Sequence, residues 1–190
     1  MSKIYTAKPA SEGKPWGKIT WYFIHTFCEK IDEQFFMANK EKCFEVLTSV
    51  CNMIPCPLCR THAAQYLKKN PMPRIIKNKS DLKNYFFNFH NQATLNGNPR
   101  AKIADVSTLD LYKKAIFSKI INAFSAEYTK RTPTRLDYTH TLFSQRVLGT
   151  IISFMKNNWA AFNVKQTIQP TAEEPNNEEC NITLKITDDL

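Results

Sequence analysis

The run Trp16-Gly17-Lys18-Ile19-Thr20-Trp21-Tyr22-Phe23-Ile24-His25-Thr26-Phe27-Cys28-Glu29-Lys30-Ile31, WGKITWYFIHTFCEKI, decides the fold class. Ile24, Phe27, Cys28 and Ile31 recur at steps of three and four, the spacing that lays one apolar stripe along an α-helix. Phe44, Leu47, Val50, Cys51 and Ile54 repeat the pattern in a second helix that Pro55 stops. A third helix opens at Cys56-Pro57-Leu58-Cys59 and runs through Leu67. Asn70-Pro71-Met72-Pro73-Arg74 then breaks the chain. Ser80, followed by Asp81 and Leu82, reads as the cap of a fourth helix over 81–95, ended by Asn96-Gly97-Asn98-Pro99. A short fifth helix is expected around 108–128 and a sixth around 138–162, separated by Thr132-Pro133-Thr134. Strand signals are nearly absent before the tail. The expected class is all-α: a helical bundle of four helices plus a short fifth, with a C-terminal helical extension.

A chain of 190 residues that is 43% hydrophobic can bury a core without a metal to hold it together. Six cysteines are too few for a disulfide-dense secreted scaffold of this size. Residues 1–15 carry prolines, a glycine and small polar residues, which reads as an irregular arm, and no apolar run in them has signal-peptide length. Nor does any stretch reach the roughly 18 to 20 apolar residues of a membrane helix. The expectation is therefore a cytoplasmic protein that does not engage membranes. The formal charge of +9 is unevenly spread. Residues 166–190 hold Lys185 against Glu173, Glu174, Glu178, Glu179, Asp188 and Asp189, a balance of −5, so this polar, acidic tail is expected to be disordered. The remaining 165 residues, with 25 basic and 11 acidic side chains, carry +14, an excess that suits nucleic acid, an acidic partner or a diphosphate-bearing cofactor.

The Cys56-x-x-Cys59 pair admits several uses. A zinc site would need four ligands; His62 could be a third, but no second C-x-x-C or H-x-x-x-H closes the tetrahedron. A thioredoxin-like pair belongs in a β/α setting, which the helical surroundings do not provide. A structural disulfide in a cytosolic protein would need a source of oxidation. A redox dithiol at a helix N-terminus has a direct rationale, since free N–H groups and the helix dipole stabilise a thiolate. Cys28, Cys43 and Cys51 read as small core residues. Cys43 and Cys51 cannot pair within one straight helix, where eight residues span ~12 Å against a limit of ~7 Å.

Three motifs then combine. Gly17-Lys18-x-x-Trp21-x-x-Ile24-His25, Pro55-Cys56-x-x-Cys59 and His90-Asn91-x-x-Thr94 resemble, in order and spacing, the Erv/ALR family of FAD-linked sulfhydryl oxidases, whose pattern is G-R-x-x-W-x-x-L-H, P-C-x-x-C and H-N-x-x-N. The likeness covers about residues 16–115, which would be the FAD-binding oxidase core, with 116–165 as a helical extension. Lys18 stands for the family arginine, Thr94 for its second asparagine, and Asn98 for a lysine that often precedes the proline. The resemblance implies that Cys56 is the interchange thiol and Cys59 the flavin-proximal one. It implies that Gly17, Lys18, Trp21, His25, Cys59, His90, Asn91 and Thr94 bind FAD, with Lys113 and Lys114 near its phosphates and no metal.

The implied activity is oxidation of thiol-containing protein substrates to disulfides, electrons passing through the C-x-x-C pair and FAD to dioxygen, which becomes hydrogen peroxide. Homodimers are common in the family. Its members often relay electrons through an extra cysteine pair, which the lone Cys180 cannot form, so a separate C-x-x-C relay protein is expected. The compact core without a targeting segment resembles the forms of large DNA viruses, for which host cytoplasm or virion is the expected place. The competing reading is a basic helical interaction protein that binds nucleic acid or an acidic partner, with C-x-x-C as a metal or structural feature.

Overall fold

The computed structural model describes residues 15–130 and 138–162; the N-terminal arm, the 131–137 connection and the acidic tail with Cys180 lie outside the described residues. The described residues are helical and contain no strand. In chain order the helices are α1 (Pro15–Lys30), α2 (Glu33–Ala38), α3 (Lys40–Asn52), α4 (Pro57–Lys69), α5 (Met72–Ile75), α6 (Lys79–Gly97), α7 (Phe117–Thr129) and α8 (Tyr138–Asn157). Among the described residues two 3-10 segments accompany them, Val106–Lys114 before α7 and Trp159–Phe162 after α8.

α1 runs through the middle of the molecule: Ile24, Phe27 and Cys28 of the expected stripe are buried, as is Ile31 just after the helix, and Phe23, His25 and Thr26 are buried with them, so the helix is enclosed on every face over residues 23–28. It packs against α3, α6, α7 and both 3-10 segments. α3 contributes Cys43, Phe44, Val46, Leu47, Val50 and Cys51, and α6 contributes Leu82, Tyr85, Phe86 and Phe89. An ion pair between Glu29 and Lys83, 2.5 Å apart, ties α1 to α6 at their polar edge.

Residues beyond 115 enter the same core. Phe124 of α7 is fully buried and stacks on Phe23 with ring centroids 4.4 Å apart, while the hydroxyls of Thr20 and Tyr128 share a hydrogen bond at 2.7 Å. Phe162 lies 4.9 Å from Phe27, and Leu148, Ile151 and Met155 of α8 join the cluster.

Several boundaries differ from the sequence expectation, each for a local reason. The single helix expected over 108–128 is two elements, because Ala115 and Ile116 are extended. Leu109 and Tyr112, three residues apart, face the core together on a 3-10 helix, whose side chains eclipse at that step. The 138–162 helix ends at Asn157 and resumes as the 3-10 turn. α6 is capped by Asn78, whose side chain accepts from the Asp81 N–H at 2.9 Å, and not by Ser80. The second helix ends at Asn52, before Ile54. α5 forms inside the proline break, since prolines are tolerated in a helix's first turn, where N–H groups lack intrahelical partners. α2 was not expected; Asp32 caps it through the Phe35 N–H at 2.8 Å.

Candidate functional site

The C-x-x-C motif sits where α4 begins. Cys56 is the N-cap, Pro57 occupies the first turn with the φ that a helix start requires, and the Cys59 N–H points at Cys56 Sγ over 3.3 Å. Cys56 and Cys59 are joined as a disulfide, their Cα atoms 5.2 Å apart, and both residues are partly exposed. The remaining described cysteines, Cys28, Cys43 and Cys51, are free and buried. Burial pushes the Cys28 thiol well up and the Cys43 and Cys51 thiols up to about 12, so none supplies thiolate at neutral pH.

A second constellation is built from flat rings. Trp21 and His25 lie one turn apart on α1 and stack at 5.8 Å; His90 of α6 stacks on Trp21 at 4.1 Å with planes 12° apart. His25 Nε2 and His90 Nδ1 are 3.0 Å apart, one ring donating an N–H to the other. Burial, with a smaller contribution from His90, lowers His25 to about 3, and burial lowers His90 to about 4. Both rings are therefore neutral at physiological pH, as a hydrogen bond with one donor and one acceptor nitrogen requires.

Three rings that sequence reasoning did not single out complete the group. Tyr112 stacks on His25 at 4.9 Å, and Phe89 meets Trp21 edge-on at 5.3 Å. Tyr66 stacks on Phe89 at 4.4 Å and carries the cluster onto α4, two turns after Cys59. The Leu109–Tyr112 step was the one available signal for Tyr112, and it is visible only once that segment is read as a 3-10 helix.

Trp21, His25 and His90 are thus brought together, as are Cys56 and Cys59. The other candidates serve the surroundings of the rings. Asn91 accepts a hydrogen bond from the Ala104 N–H at 3.2 Å, which fastens the loop after α6, and the Thr94 hydroxyl donates to the His90 carbonyl at 3.1 Å. Gly17 has open space where a Cβ would stand, so nothing approaches it closely. Lys18 is exposed on the α1 face that carries Trp21 and His25, and exposed Lys113 pairs with Asp110 at 2.6 Å next to Tyr112. Among the described residues, no group of three or more His, Cys, Asp or Glu is placed to hold a metal ion, and no helix is long and apolar enough to cross a membrane.

All three motifs fall inside residues 18–109, apart from Gly17, and that segment matches the family model described as the Erv1/Alr family. Residues 18–109 are thus similar to the Erv1/Alr family. Protein 096R of Invertebrate iridescent virus 3, whose name places it provisionally among FAD-linked sulfhydryl oxidases, is 25% identical over 119 residues, covering 63% of this chain and 74% of its own. A protein of African swine fever virus named FAD-linked sulfhydryl oxidase is 27% identical over 106 residues, 55% of this chain and 86% of that one. The Arabidopsis thaliana protein named FAD-linked sulfhydryl oxidase ERV1 is 33% identical over 55 residues, 29% of each chain. No solved structure matches.

Proposed function

We propose that this chain is a member of the Erv1/Alr family and a FAD-dependent thiol oxidase that forms disulfide bonds in protein substrates, with Cys56 and Cys59 as its redox pair. The observation that carries this reading is the partly exposed Cys56–Cys59 disulfide at the N-terminus of α4, within the segment matched to the family. The names of the viral and plant relatives support it. Residues 16–115 would form the oxidase core, whose interior Phe124, Ile151 and Phe162 from the helical extension help to fill.

The ring cluster suits a flavin dinucleotide. Trp21 and His90 are half-buried and nearly parallel, a surface on which a flat heteroaromatic ring can stack, and their neutral state costs nothing in buried charge. Trp21, His25 and His90 would hold FAD, Asn91 and Thr94 would fix the His90 segment, and the exposed ammonium groups of Lys18 and Lys113 suit its diphosphate. When bound, FAD supplies a two-electron acceptor that passes its electrons to dioxygen, with hydrogen peroxide as product.

The cysteine roles that the resemblance implies are compatible with the local geometry. A substrate thiolate attacks Cys56 Sγ, forming a mixed disulfide and releasing Cys59 as a thiolate. A second substrate thiol attacks the substrate sulfur of that mixed disulfide, expels Cys56 and leaves the substrate oxidised. Two electrons from the two substrate thiols now reside on the Cys56–Cys59 dithiol. The first-turn N–H groups and the dipole of α4 favour both thiolates. Substrates would be thiol-bearing proteins, with a separate C-x-x-C protein as the relay, and a homodimer is the assembly expected of the family.

Cys56→Ser and Cys59→Ser should each abolish oxidation of protein thiols while FAD stays bound. With Cys59 a free thiolate beside the flavin, Cys56→Ser should show a long-wavelength charge-transfer band that Cys59→Ser lacks. A band in Cys59→Ser alone would reverse the two roles.

A further inference from the structure

Between α3 and α4 the chain turns through Met53, Ile54 and Pro55 before reaching Cys56. Met53 and Ile54 are buried, so their carbonyls, just past the end of α3, must find donors within the protein. Arg60 of α4 supplies one, its Nη1 2.6 Å from the Ile54 oxygen. The others come from α8, outside the residues matched to the family. His140 Nε2 lies 3.0 Å from the same Ile54 oxygen, and the Ser144 hydroxyl donates to the Met53 oxygen at 3.3 Å.

A carbonyl oxygen only accepts, so Nε2 of His140 carries the proton and donates. His140 and Ser144 are one turn apart, and the same stripe of α8 continues through Leu148, Ile151 and Met155 into the core. The donors therefore ride on an anchored helix. Phe143 stacks on the His140 ring at 6.1 Å and covers it on one side.

We infer that His140 and Ser144 are positioning residues for the Cys56–Cys59 pair, α8 bracing the turn from which Cys56 hangs. The inference rests on reading Cys56–Cys59 as the redox pair. Held by both donors, the turn keeps Cys56 at disulfide distance from Cys59. Loosening it lowers the effective concentration of one thiol at the other, so the pair is reduced more easily.

The test is the exchange equilibrium of full-length protein with mixtures of reduced and oxidised dithiothreitol under anaerobic conditions, read by alkylation and peptide mapping of Cys56 and Cys59. His140→Phe keeps a ring against Phe143 and removes the donor; His140→Gln restores an N–H at similar reach. His140→Phe should move the equilibrium about three- to tenfold toward the dithiol, tenfold being about 30 mV for a two-electron couple, and His140→Gln should return it to within about twofold of wild type. Ser144→Ala should move it the same way by a smaller factor, and it replaces His140→Phe as the decisive variant if that protein does not fold. Coincident titrations of wild type and the donor-less variant would overturn the inference, as would His140→Gln shifting as far as His140→Phe. The equilibrium is read whether or not flavin is bound, so a protein unable to bind flavin would sink the oxidase reading and leave this result to be judged by itself.

Discussion

Acid should weaken the fold through the His25–His90 pair. In the folded protein the two rings titrate at about 3 and about 4, whereas an unfolded histidine titrates near 6.5. Between those values the unfolded chain binds more protons, so stability falls as pH falls. It is intact above about 6.5, declines below that, and stops declining near the folded values. From pH 6.5 to pH 5 each ring forfeits about 1.5 units at 1.36 kcal/mol per unit, or about 2 kcal/mol, and the pair about 4 kcal/mol at most. That is a large part of the 5–15 kcal/mol typical of a domain. Urea unfolding of flavin-free protein at about pH 7.5 and about pH 5 measures the loss. Carboxylates elsewhere contribute equally to a His25→Gln/His90→Gln double variant, which should lose less than wild type by up to about 4 kcal/mol. Equal losses in the two proteins would refute the placement of these imidazoles as a neutral buried pair.

Two further substitutions probe the core and the ring cluster. Phe124→Ala removes a fully buried ring stacked on Phe23 and should cost about 3–5 kcal/mol in urea unfolding, whereas a loss under about 1 kcal/mol would mean that α7 is not part of the core. Trp21→Ala, and His90→Ala combined with Asn91→Ala, should lower the flavin retained per protein after gel filtration; unchanged stoichiometry would remove these residues from the flavin site.

Helical periodicity carried most of the architecture because α3 and α6 bury single stripes, and a stripe is what three-four spacing records, whereas α1 is enclosed on every face over residues 23–28. The Trp21–His25 step and the C-x-x-C at a helix start were legible for the same reason, since each lies within one element. Contacts between distant segments left no local trace. Nothing near His25 announces Tyr112, and nothing near Ile54 announces His140, 86 residues away. The break at Ala115 and Ile116 was hidden because apolar residues on both sides of it continue a helix-like spacing.

The central claim is that this chain passes electrons from a dithiol through Cys56–Cys59 to a flavin. Anaerobic titration of the purified protein with dithiothreitol, followed by its visible spectrum, tests it most directly. A yellow protein that bleaches on titration and regains its colour with air, forming hydrogen peroxide, is the predicted result. A colourless protein that contains zinc, or a yellow one whose flavin is bleached equally well in Cys59→Ser, would contradict it.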